Sequence, residues 1–201
     1  MNASVNTLPT FPEKLKQNTS VPHTQLEELP LSKAIISPDV NTEDYLLYLD
    51  LMQDIIYEVE NIIYPKLSTI IQDIEERRKN PLIEADFSAL SYTKNKPARS
   101  VLNLKDDIST GYAMGIMYVI EGSTLGGRVL YKNIEKHLGY NNDKGAAYFA
   151  GYGDKTGSNW KNFMLTLSNY ENEHGNADDI IAGANHAFTS ITKHFTENSA
   201  K

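Results

Sequence analysis

A helical pattern carrying five glycines constrains this chain more than any other feature. It opens near Asp106 and Asp107, runs to His137 and Leu138, and ends at Gly139, a residue suited to a left-handed cap. Gly111, Gly115, Gly122, Gly126 and Gly127 all lie inside it. Each interior glycine costs about 1 kcal/mol relative to alanine, so clustering them calls for a compensating gain. On a helix Gly122 and Gly126 share a face, one turn apart. That face has two readings: close packing of another helix, or close approach of the backbone to a flat ligand that a β-carbon would strike. Gly127 adds local flexibility and favours a kink there.

The rest of the chain also reads as helical, with almost no strand-like alternation. A short helix is expected from Ser20, with Pro22 in its first turn and Pro30 limiting its length. Thr42 reads as the N-cap of the next, with Glu43 and Asp44 suiting its dipole. Leu49, Met52, Ile56, Val59 and Ile63 follow helical spacing. Tyr64-Pro65 interrupts the pattern, Leu67, Ile70, Ile71 and Ile74 resume it, and residues 75–79 read as a charged exit. Further helices are expected over residues 81–91, 158–170 and 176–195, with loops at 95–100 and 151–157. The expectation is an all-α single domain over residues 14–196, with seven or eight helices, between a flexible N-terminus (1–13) and a flexible C-terminus (197–201).

Composition narrows the chemistry. The 201 residues contain no cysteine, which excludes disulfides, thiol nucleophiles, cysteine zinc sites, iron–sulfur clusters and thiolate-ligated haem. No apolar run approaches the roughly 20 residues that span a bilayer, and the N-terminus has no apolar signal core, so no membrane association and a cytoplasmic location are expected. The net charge of −7 argues against nucleic acid as a partner. An anionic ligand would need a local basic patch.

His23 and Glu27 stand at i and i+4 and share a helix face. They read either as a solvated pair or as a metal-ligating imidazole oriented by a carboxylate. Phe188 and Phe195 lie two turns apart on one face of the last helix, where core packing is the plain alternative to a ligand pocket.

The segments LKQNTSVPHTQLE (15–27), RRKNPLIEADFSAL (77–90), YVIEGSTLGGRVL (118–130), FAGYGDKTGSNWKNF (149–163) and ANHAFTSITKHF (184–195) occur in an order and spacing that resemble the haem oxygenase family, most of all its bacterial, phytochrome-associated type. EGSTLGG is the most specific of these strings. The resemblance implies a helical bundle with haem b between a proximal helix and a kinked, glycine-rich distal helix. It implies that His23 is the proximal iron ligand and Glu27 its acidic neighbour. Gly122 and Gly126 then match the distal glycines that leave room for dioxygen, with Ser123 as a small polar residue beside them. Lys16 and Lys161 match basic residues near the propionates, Phe188 and Phe195 match pocket aromatics, and Tyr118 offers a hydroxyl near the distal side.

By the same resemblance haem is both substrate and cofactor. Oxygen activated at the iron attacks a meso carbon of the porphyrin, and biliverdin, carbon monoxide and iron are released. The work left to the protein is positioning and electrostatics. Electrons must come from an external donor such as a ferredoxin or reductase, since the chain has no flavin or nicotinamide motif; the expected role is either supply of biliverdin to a photoreceptor such as a phytochrome or release of iron. Two positions depart from the animal enzymes: Ser123 replaces an aspartate, and Leu165 stands where a further basic residue is found. They keep a non-catalytic haem carrier or sensor as the alternative. The other histidines (His137, His174, His186 and His194) read as surface or packing residues.

Overall fold

The structure is a computed structural model, and it describes residues 9–199 apart from Pro97 and Asp106. The terminal residues expected to be flexible, 1–8 and 200–201, and the expected helix start at Asp106 lie outside the described residues. Nine α-helical segments follow in order: α1 Phe11–Glu27, α2 Pro30–Ile36, α3 Thr42–Glu58, α4 Tyr64–Leu67, α5 Asn80–Ala89, α6 Thr110–Leu138, α7 Ala147–Ala150, α8 Thr156–His174 and α9 Ala177–Asn198. No strand occurs among the described residues, and the fold is all-α. None of the helices is long and apolar enough to cross a membrane among the described residues.

Helix α1 starts at Phe11, not Ser20, and so takes in part of the segment expected to be flexible. The Glu13 carboxylate accepts from both the backbone N–H and the hydroxyl of Thr10 at 2.8 Å, and Pro12 sits in the first turn, where its missing N–H loses nothing. Pro22 is therefore interior and removes the helical bond to the carbonyl of Asn18. Docking of α1 along α9, with Leu15 and Thr19 buried, outweighs that loss.

The cap of α3 is Asn41, whose side chain accepts from the N–H of Asp44 at 2.9 Å; Thr42 is the first helical residue. Helix α3 does not stop before Tyr64-Pro65. A π-helical turn, Val59–Ile63, carries it into α4, giving the proline a place without a break. All five stripe residues from Leu49 to Ile63 are buried. Residues 75–79 are not a solvated exit, because Arg77 and Lys79 are buried. The last two long helices each extend past their expected ends, so His174 closes α8, stacked on Tyr170, and is not in a loop.

Helices α6 and α9 make the most extensive contact in the fold. A β-carbon on Gly115 would run into the carbonyl oxygen of Ile180 and sit 2.7 Å from the N of Ala184. One on Gly183 would sit 2.8 Å from the carbonyl carbon of Tyr112. The two helices thus meet backbone to backbone, and Gly115 is a packing glycine. Helix α6 continues unbroken past this crossing, and its later glycines have different surroundings.

Candidate functional site

One face of α1 carries Lys16, Thr19 and His23, at i, i+3 and i+7. Thr19 is buried and Lys16 exposed. The His23 side chain is 52% exposed, its Nδ1 lies 3.5 Å from Glu27 Oε2, and its ring meets Phe188 of α9 edge-on. Among the described residues no hydrogen bond involves its Nε2. An imidazole so held has one nitrogen facing a carboxylate and the other open, the arrangement that suits a metal ligand.

A second uncovered face belongs to α6. Gly122, Leu125, Gly126 and Val129 recur at i, i+3, i+4 and i+7, the spacing of a helix stripe that normally packs into a core. Here it is uncovered: Leu125 is 40% and Val129 58% exposed. A β-carbon on Gly126 would meet nothing within 4 Å, and one on Gly122 would meet only the ring of Trp160, at 3.6–3.7 Å. Unlike Gly115, neither glycine is pressed by another helix's backbone, and Gly126 gains no contact at all in return for its conformational cost. No neighbouring helix backbone packs on the Gly122–Gly126 face, in contrast to the face of Gly115.

The two faces are linked through the residues one turn earlier. Tyr118, four before Gly122, shares a hydrogen bond with Thr19, four before His23. Burial pushes the Tyr118 hydroxyl above the ordinary tyrosine range, and that hydrogen bond works the other way. The Thr19 hydroxyl itself donates to the carbonyl of Leu15 at 2.9 Å. Trp160 of α8 walls the same end, its ring 5.6 Å from that of Tyr118, and the exposed Lys161 follows it in sequence. Leu165, one turn further, is 62% exposed.

The remaining expected residues divide. Phe188 is buried beside His23. Phe195 is buried in the core, its ring against Tyr48 at 5.3 Å, not against the histidine. Ser123 is exposed, and its hydroxyl donates to the carbonyl of Ile120 at 2.7 Å. His186 bonds the carbonyl of Leu102, and His194 lies 3.1 Å from Asp54; neither belongs to this cleft.

Sequence reasoning misses a buried ionic cluster directly behind the glycine face. Glu121 is fully buried; its carboxylate takes Arg77 Nη1 at 2.5 Å, Lys79 Nζ at 2.6 Å and the Tyr152 hydroxyl at 2.9 Å. A signal was present: Glu121 continues the buried stripe of Met114 and Met117, and a carboxylate there requires buried cations. A cavity of about 30 Å³, room for one water, is lined by Tyr48, Lys79, Ser123, Thr124, Tyr148 and Tyr152 among others. It joins the cluster to Ser123.

These features define an all-α protein with an exposed histidine on α1 and an uncovered, glycine-bearing apolar stripe on α6. The family model described as "Heme oxygenase" matches residues 9–197, and the chain belongs to that family. Among solved structures, the NO- and CO-bound haem oxygenase from Neisseria meningitidis is 26% identical, with a TM-score of 0.78, over 95% of this chain and 92% of that one. The haem complex of haem oxygenase-1 from the cyanobacterium Synechocystis is 20% identical, with a TM-score of 0.68, over 94% and 92%. Haem-free haem oxygenase 2 from Chlamydomonas reinhardtii is 13% identical, with a TM-score of 0.73, over 94% and 98%. The last two likenesses show the fold. Comparison with curated protein sequences returns no match.

Proposed function

We propose that this protein opens haem b to biliverdin, releasing carbon monoxide and iron, with dioxygen and electrons supplied from outside the chain. The observation that carries the reading is the uncovered Gly122–Leu125–Gly126–Val129 stripe of α6, alongside a half-exposed histidine on α1 whose Nδ1 lies by a carboxylate. A porphyrin plane is flat, apolar and edged with carboxylates, and an uncovered apolar stripe interrupted by glycines is the kind of surface that would take it. Such a ligand also explains why Gly126 stands where no protein atom presses on it.

Bound haem supplies the site of oxygen activation; the chain's own residues hold and orient it. His23 would hold the haem iron through Nε2, with Glu27 at Nδ1 fixing the imidazole's tautomer and rotation. A neutral imidazole lacks the electron push of a thiolate, which favours cleavage of the O–O bond. Gly122 and Gly126 lower the ceiling to backbone height on the distal side. Ser123, backed by the one-water cavity, offers a hydrogen-bonding position next to that ceiling. Lys16 and Lys161 are the cations assigned to the propionates, and they set the in-plane rotation that selects the meso carbon. Tyr118 closes the edge between α1 and α6. Phe188 braces the His23 ring; Phe195 acts one layer back, through Tyr48.

A ferredoxin or reductase is the proposed electron donor, a phytochrome the proposed acceptor of biliverdin, and the cytoplasm the proposed compartment. Titration with hemin tests the reading. The expected result is a one-to-one complex with a histidine-ligated Soret band, followed by biliverdin on adding reductant and dioxygen. A stable ferrous complex that never turns over would instead mark a carrier or sensor, and no Soret band would end the reading.

A further inference from the structure

The residues immediately before Gly122 and immediately before Trp160 are tied to the same buried guanidinium. Arg77 is 1% exposed. Its Nη1 donates to Glu121 Oε2 at 2.5 Å, and its Nη2 donates to the carbonyl oxygen of Asn159 at 3.4 Å. Nε and Nη2 also hold the two oxygens of Asp73, at 2.9 and 2.8 Å. One planar group thus bridges α6, α8 and the 3-10 turn Ile74–Arg77 with its flanking Asp73. The next residues along, Gly122 and Trp160, are the pair that meet at the end of the cleft.

We propose that Arg77 is a positioning residue of this site, setting where the glycine face of α6 stands relative to the Trp160–Lys161 wall of α8. The inference rests on the haem-binding reading above. The guanidinium holds its acceptors on three segments in one plane and at fixed angles, whereas a lysine ammonium is a point charge on a flexible stem. Lys79 and Tyr152 take the remaining capacity of Glu121, so α6 cannot slide along its axis without breaking buried charged bonds. Apolar side chains of similar volume could fill this space at no loss of stability, since a buried ion cluster forfeits solvation. What apolar packing would not supply is a fixed register between Gly122 and Trp160. Lys161 follows Trp160 directly, so the same tie sets a cation at the cleft edge relative to the distal ceiling.

The chain has a single tryptophan, so its fluorescence reads this contact without interference. The test is Arg77→Lys, which keeps the charge and loses the fork, alongside Glu121→Gln, which keeps the shape and loses the charge. Both are compared with wild type by circular dichroism, acrylamide quenching of Trp160 in the haem-free protein, hemin release to an apo-globin trap, and chromatography of the biliverdin isomers. The expected result is wild-type helix content, stronger quenching, hemin release about tenfold faster and a broadened isomer distribution. Folded variants with wild-type quenching, release and isomers overturn the proposal. If Arg77→Lys does not fold, Glu121→Gln decides it alone. Absence of a histidine-ligated Soret band in wild type would defeat the haem reading separately, and the quenching comparison would still test the tie.

Discussion

The imidazole of His23 meets the ring of Phe188 edge-on, with centroids 5.3 Å apart and planes at 88°. One partner is half-exposed and the other buried, so the two substitutions separate function from folding. His23→Ala removes a largely solvated side chain, and its effect on stability stays within about 0.5 kcal/mol. It loses the axial ligand, and added imidazole restores the histidine-type Soret band. Phe188→Ala empties a core position and lowers stability by about 3 kcal/mol. Urea denaturation and hemin spectra of the two variants check both halves.

Glycines on one helix give opposite outcomes. Gly115→Ala drives a β-carbon into the backbone of α9 and destabilises the protein by about 2 kcal/mol or more. Gly126→Ala meets open space in the haem-free protein and stabilises it by up to about 1 kcal/mol, the helix-propensity difference. The same change puts a β-carbon into the space the substrate would occupy and weakens hemin binding. Thermal melts with and without hemin test the pair; a Gly126→Ala protein that binds hemin like wild type contradicts the role given to that face.

Asp86 provides a pH signature. It is fully buried and accepts from the N–H groups of Ala147 and Tyr148, at 2.6 and 2.9 Å. Burial raises its pKa to about 6, with those two bonds acting against the rise. The folded protein therefore holds this proton where the unfolded chain has lost it. Stability from this group is complete below about pH 4 and is lost as pH rises through about 6. Measured against Asp86→Asn, wild type loses on the order of 2 kcal/mol between those limits. A difference that is flat, or that grows with pH, contradicts the assignment.

Tyr118 and Thr19 close one edge of the cleft, so loss of that hydrogen bond is read in ligand retention. Tyr118→Phe keeps the ring against Trp160 and removes only the hydroxyl. The expected result is an unchanged fold and faster hemin release, measured by transfer to an apo-globin. An unchanged release rate would show that the edge is held by ring packing alone.

What the sequence made legible follows from local physics. The stripe from Leu49 to Ile63, the capping of α6 at Gly139 and the shared face of Gly122 and Gly126 are all consequences of helical periodicity and glycine's missing β-carbon. The boundaries that differed did so where a tertiary or side-chain partner intervened. Docking on α9 carries α1 through Pro22, a π turn absorbs Pro65, and Asn41 takes the cap in place of Thr42. Which glycines pack and which stand open depends on what crosses the helix, and no spacing within α6 encodes that. Arg77 and Lys79 read as solvent-facing because their partner Glu121 is more than 40 residues away. A carboxylate on the stripe of Met114 and Met117 was the one local sign of it.

The most direct test of the account is a single aerobic turnover of the hemin complex with a chemical reductant, with carbon monoxide and tetrapyrrole product measured together. The account predicts decay of the Soret band with one carbon monoxide and one biliverdin formed per haem, and no such products from His23→Ala without imidazole. Bleaching without carbon monoxide, or equal product from wild type and His23→Ala, would contradict it.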